Sequence, residues 1–165
     1  MSIRLFLHVC FWSLLTVSVG RASPTLVTSA GTILGVDGVV VGSATYNPRF
    51  VDGTCAAVYG ACDGAHFTFA GANSTDTVAV AAAASALQAA LISLSATDPS
   101  VYNGCGSTSL CEVLTPWWLL GPTSVWTTSL YVASANVCGP DVNSSENPAT
   151  DTTGKRRVST CSGRR

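Results

Sequence analysis

The hydrophobic positions of this chain change rhythm along its length. Between Thr32 and Ser43, "TILGVDGVVVGS" sets two short apolar runs on either side of Asp37-Gly38. Asp-Gly supplies both positive-φ positions of a type I′ turn, so the pattern predicts a hairpin pairing residues 33–36 with 39–42. The next stretch, "ATYNPRFVDGT", predicts a third strand. Pro48 confines that strand to a sheet edge or a bulge, because proline has no N–H for a ladder. Asp52-Gly53 marks the following turn.

Residues 76–95, "DTVAVAAAASALQAALISLS", switch to a helical period. Val80, Ala84, Leu87, Leu91 and Leu94 recur at spacings of four and three and draw one apolar stripe. Ser74 or Thr75 is the expected cap, Asp76 complements the helix dipole, and Asp98-Pro99 lies beyond the stop. No charge falls between Thr77 and Thr97, so a membrane span competes with a core helix. The alanine-rich composition, Gln88 and several serines favour the core helix.

After the loop "YNGCGSTSLCE" come "VLTPWWLL", a Gly121-Pro122 break, and "SVWTTSLYVAS". The last piece alternates, with Trp126, Thr128, Leu130 and Val132 on one side and Val125, Thr127, Ser129 and Tyr131 on the other. That is a strand. From Gly139 the chain turns rich in Asn, Ser, Thr and Pro, which predicts a disordered C-terminal tail. The element order predicts an α+β fold: a small antiparallel sheet with one Ala-rich helix packed on it, disulfide-stabilised, followed by the tail.

The ends change this picture. Residues 1–22, "MSIRLFLHVCFWSLLTVSVGRA", have Arg4, an apolar run over 5–19, and small residues Gly20 and Ala22 where signal peptidase cuts. They are read as a signal peptide rather than a retained anchor, the apolar run being short for a span. The expected organisation is signal peptide 1–22, a single secreted α+β domain 23–138, and a polar tail 139–165 with a basic end. Between residues 23 and 154 stand one arginine, Arg49, and nine acids, a net charge of −8. An acidic body of this kind lacks the electrostatic footprint for nucleic acid. The basic cluster Lys155, Arg156, Arg157, Arg164 and Arg165 is read as a solvated end.

Cysteine usage supports export. Past the signal peptide stand Cys55, Cys62, Cys105, Cys111, Cys138 and Cys161, an even set that argues for disulfides in an oxidising compartment. Several connectivities are open to six cysteines. Spacing favours Cys55 with Cys62 and Cys105 with Cys111, leaving Cys138 with Cys161.

Candidate chemistry gathers in "FVDGTCAAVYGACDGAHF", residues 50–67. A metal reading takes Cys55, Cys62 and His66 with Asp52 or Asp63. Zinc sites usually keep two to four residues between paired cysteines, and here six intervene, so a disulfide is expected and no metal or cofactor is assigned. A hydrolase reading takes His66 with an Asp and a Ser, but no G-x-S-x-G elbow surrounds any serine. "AHFTF" reads instead as a short strand carrying one polar residue. No catalytic residue is assigned.

Trp117 and Trp118 are the candidate binding residues, since adjacent tryptophans can offer a platform to a sugar ring. Consecutive strand residues point to opposite faces, so at least one packs inward. Asn73-Ser74-Thr75 and Asn143-Ser144-Ser145 match the glycosylation pattern, which matters only in a glycosylating host.

"YNPRFVDGTCAAVYGACDGAHFTF", "AVAAAASALQAAL" and "NGCGSTSLCEVLTPW" together resemble a group of short exported bacterial proteins of the PEP-CTERM-associated type. In that group a "T-F-V-D-G-T" strand precedes a cysteine-bearing loop, an "A-A-x-A-L" helix and a "C…C…L-x-P" segment. The similarity spans about residues 32–120. It implies a cell-envelope or matrix protein and supplies no catalytic residues. The ending "GKRRVSTCSGRR" is basic, without Pro-Glu-Pro or a terminal apolar span before it. Secretion or periplasmic residence is therefore expected over membrane-linked sorting. The function expected is a non-enzymatic structural, matrix or binding role, with an extracellular polysaccharide or envelope component as partner. The alternatives are a carbohydrate-binding module using Trp117 and Trp118, or a small secreted hydrolase using His66.

Overall fold

Tight turns decide the N-terminal pairing. The computed structural model describes residues 23–106, 109–121, 124–133 and 136–146. The expected signal peptide lies outside the described residues. Strand β1 (Thr25–Ser29) pairs antiparallel with β2 (Thr32–Asp37) across Ala30-Gly31, whose φ angles are 48° and 82°. Two consecutive positive φ values are the type I′ signature, and Gly31 carries one at little steric cost. A second hairpin joins β3 (Val39–Val41) to β4 (Ala44–Tyr46) across Gly42-Ser43.

The predicted hairpin over Asp37-Gly38 is thus replaced by two others. Asp37 ends β2, and its carboxylate meets Arg49 Nη2 at 2.7 Å. Gly38 N donates to Asn47 Oδ1 at 3.0 Å. With neighbouring turns on both sides, Asp37-Gly38 becomes the corner between hairpins.

The expected third strand shortens to β4. Beyond it, residues 48–50 run along the free edge of β2, with Val36 N donating to Pro48 O at 3.0 Å and Phe50 N to Leu34 O at 2.8 Å. Gly35 permits that approach: a Cβ there collides with the Pro48 carbonyl and comes within 2.9 Å of the Arg49 side chain. Pro48 itself sits at the sheet margin, contributing only its carbonyl.

Helix α2 (Val78–Ser93) buries Val80, Ala84, Leu87 and Leu91 of the predicted stripe and half-buries Leu94. Its N-cap is Thr77, which makes no side-chain capping bond. The expected caps are occupied elsewhere: the Thr75 hydroxyl donates to Asn73 Oδ1 at 2.7 Å, and Asp76 Oδ2 accepts from Ala72 N at 3.0 Å. Gln88 donates its side-chain amide to Val137 O at 2.9 Å.

Below the helix, Asp98 accepts from Ser100 N and caps a short 3₁₀ turn, Pro99–Val101. The buried Tyr102 then donates its hydroxyl to Ala96 O at 2.6 Å, and Asn103 N donates to Ile33 O at 3.0 Å. These bonds tie the end of α2 to β2.

The C-terminal part is an antiparallel meander, β5 (Leu110–Gly121), β6 (Ser124–Ala133) and β7 (Asn136–Glu146), with β6 in the centre. Val125, Thr127, Thr128, Ser129, Leu130 and Val132 of β6 are all buried, so both of its faces are covered. Strand β7 continues to Glu146, past the tail start expected at 139. Its composition is polar because it is a sheet edge, where the ladder to β6 needs backbone groups rather than apolar side chains. The rest of the expected tail, 147–165, lies outside the described residues. One core joins Ile33, Val36 and Phe50 to Leu87, Leu91, Tyr102, Leu130, Val132 and Val137. The fold is α+β, small antiparallel sheets with one main helix. No helix among the described residues is long and apolar enough to cross a membrane.

Candidate functional site

The stretch from Phe50 to Phe69 is short on regular structure and is held by local bonds. Thr54 caps α1 (Cys55–Tyr59), its hydroxyl accepting from Ala57 N at 3.3 Å. Cys55 bonds to Cys62 with their Cα atoms 5.3 Å apart, closing the loop that carries α1. Both thiols of the metal reading are spent in that bond. Asp63 Oδ1 then accepts from Ala65 N at 3.0 Å and lies 2.7 Å from His66 Nδ1. The hydrogen bond with His66 is the main influence holding the Asp63 carboxyl below its usual range.

"AHFTF" is consequently a turn and not the predicted strand. Asp63 bends the chain back through its own backbone, a local role Asp commonly fills. The turn sends rings inward. Phe67 is buried edge-on to Tyr59, with centroids 5.7 Å apart at 81°, and Phe69 packs against Tyr46 at 5.0 Å and 53°.

Between this stapled segment and the rest of the molecule lies a groove of about 390 Å³. It is lined by Val58, Tyr59 and Phe69 and by Val39, Val41 and Tyr46 of the second hairpin. Ala83, Ala84 and Leu87 of α2 and residues 113–116 of β5 complete the lining. Asn47, Arg49, Thr68 and Thr115 supply polar atoms around these surfaces, and no carboxylate lines them among the described residues. Arg49 is already engaged: Nη2 contacts Asp37 at 2.7 Å, and Nη1 donates to Pro48 O and Asn47 O at 3.1 and 3.2 Å. Burial pushes the Tyr59 hydroxyl above its ordinary range. A concave, mostly apolar surface with a few polar groups is the ordinary form of a small-molecule site, for which volumes run from about 300 to 1,000 Å³.

The residues singled out from sequence are spread around this groove. Trp117 is fully buried, its ring 6.3 Å from that of Trp126, and its carbonyl accepts from Gly71 N at 3.0 Å. It is a core residue and offers no platform. Trp118 is half-buried and lies outside the groove walls. His66 is exposed and bonded to Asp63, with no serine hydroxyl bonded to it among the described residues. Cys105 bonds to Cys111 as spacing favoured. Cys138 is also disulfide-bonded, and Cys161, its expected partner, lies outside the described residues. No group of three or more His, Cys, Asp or Glu suited to a metal occurs among the described residues.

Sequence reasoning overlooked Tyr46, Tyr59 and Phe69. Their only signal was the clustering of aromatics on both sides of the Cys55 to Cys62 loop. No family model matches the chain, and no similar curated protein or solved structure was found.

Proposed function

We propose that this chain is an exported, non-enzymatic binding domain of the cell envelope or extracellular matrix, with the groove as its binding site. The carrying observation is the 390 Å³ apolar groove, walled by side chains from four separate segments. Export is supported by the leader-like residues 1–22, by disulfides that belong to an oxidising compartment, and by the resemblance to exported PEP-CTERM-associated proteins. A glycan-binding version is left with Trp118 alone, because Trp117 is inside. A hydrolase version has the Asp63–His66 contact in its favour, and full turnover in His66→Ala would end it.

The test is thermal unfolding of the exported protein titrated with small molecules of varied charge and polarity. It is run on the natural chain and on Val41→Trp, which fills the groove from β3. At least one compound class is expected to raise Tm of the natural chain and not of the variant. If every compound moves both proteins alike, the groove is not a binding site.

A further inference from the structure

We infer that the groove selects a neutral, predominantly apolar small molecule with one hydrogen-bonding group, and discriminates against anions of the same shape. This rests on the groove being the binding site. Three observations define the ligand class.

The first is charge. Arg49 is the only cation between residues 23 and 154, and its guanidinium is already shared between the Asp37 carboxylate and backbone carbonyls. An anion entering the groove meets no free positive group among the described residues and sits in the field of a body carrying −8. A cation finds no carboxylate in the lining. Burying either charge unpaired is costly, so the occupant is neutral.

The second is the wall. Tyr46 and Phe69 form a tilted pair at 5.0 Å beside Tyr59, and Val41, Val58 and Leu87 add aliphatic surface. Such surfaces favour rings and hydrocarbon over sugars, whose many hydroxyls each need a partner. The third is the small number of polar groups. The hydroxyl-bearing lining residues Tyr59, Thr68 and Thr115, with the amide of Asn47, satisfy one polar end and little more.

Two fluorescent probes isolate the charge term: N-phenyl-1-naphthylamine, which is neutral, and 8-anilinonaphthalene-1-sulfonate, the same ring frame bearing a sulfonate. Both are titrated into the mature, disulfide-bonded protein at low salt and at about 1 M salt, where screening falls to about 3 Å. The neutral probe is expected to bind saturably at one site, at least about tenfold tighter than the sulfonate in either salt. Val41→Trp is expected to weaken the neutral probe at least about tenfold without lowering Tm. Thr68→Trp, at the exposed lip, gives the same readout with little demand on the fold.

Equal or tighter binding of the sulfonate, still lost in both variants, overturns the ligand class and leaves the groove a binding site. Probe binding indifferent to both variants, with no other compound class sensitive to them, overturns the groove itself. Loss of the site on self-association, read by sedimentation, assigns the groove to a second copy of the chain and also overturns the proposal.

Discussion

Part of the groove lining comes from β5 and α2, each a continuous ladder or helix of ten or more residues. The rest comes from residues 39–69, where the longest regular element is the five-residue α1. The first wall is fixed by long-range packing: α2 lies across the meander, and its Leu91 is almost fully buried with Leu130 and Val132 of β6. The second is fixed by local devices, namely a disulfide, an Asx turn, a capped helical turn and the Arg49 clasp. A site built between two such walls has one surface whose shape follows global stability and one whose shape can loosen alone.

The largest expected effect tests the packed wall. Trp117→Ala empties a fully buried site under the loop that carries Gly71 and is expected to cost about 3–5 kcal/mol, read from the denaturant midpoint. Trp117→Phe is expected to cost far less, because the indole Nε1 has no hydrogen-bond partner among the described residues. An equal loss in both variants would mean that the indole N–H is bonded after all.

Removing the staple tests the local wall. For a loop as short as Cys55 to Cys62 the chain-entropy argument gives about 2–3 kcal/mol. The double substitution Cys55→Ser with Cys62→Ser is expected to open residues 55–69 to hydrogen exchange while the amides of β5 to β7 keep their protection. Groove binding should then fall further than global stability. Uniform loss of protection through both walls would erase the distinction between them.

Gly35→Ala tests the junction. The added methyl group has no room against the Pro48 carbonyl, so either β2 or the 48–50 segment has to move. A cost of about 1–3 kcal/mol is expected. Because Arg49 shifts with that segment, the variant is also expected to alter groove binding, which a simple core defect in the meander would leave alone.

How much of this was legible in the sequence follows from the same division. The stripe of α2 was readable because 3.6-residue spacing puts Val80, Ala84, Leu87 and Leu91 on one face, and that face packs inward. The two close disulfides were readable from spacing. The N-terminal pairing was not, because Ala30-Gly31, Asp37-Gly38 and Gly42-Ser43 all offer turns, and local sequence does not rank three turns packed between residues 30 and 43. Strand β7 was missed because an edge strand need not be apolar. The groove was illegible altogether: its walls come from positions as distant as Val39 and Pro116, and nothing in either neighbourhood announces the other.

The smallest effect is set by pH and again separates the walls. Tyr102 is buried at the foot of α2 and donates to Ala96 O, and burial holds its hydroxyl well above the ordinary 10.0, with Tyr59 raised more modestly for the same reason. A folded-state tyrosine pKa above the unfolded one stabilises the fold fully below the unfolded value. That contribution declines as pH rises through about 10 towards the folded values. Unfolding midpoints are therefore expected to fall above about pH 10, and Tyr102→Phe should flatten most of that slope at a cost of about 1 kcal/mol at neutral pH. At the acid end the signs reverse. Asp98 and Asp63 are held below their usual range, Asp98 chiefly by its hydrogen bond with the Ser100 side chain and Asp63 by that with His66. Their contribution is present above the unfolded carboxylate pKa and disappears as pH falls through the folded values. Both are solvent-exposed, so the acid slope should be slight. If Asp98→Asn steepened the acid transition rather than flattening it, the 3₁₀ cap at Pro99 would not be the anchor that ties Tyr102 to the end of α2.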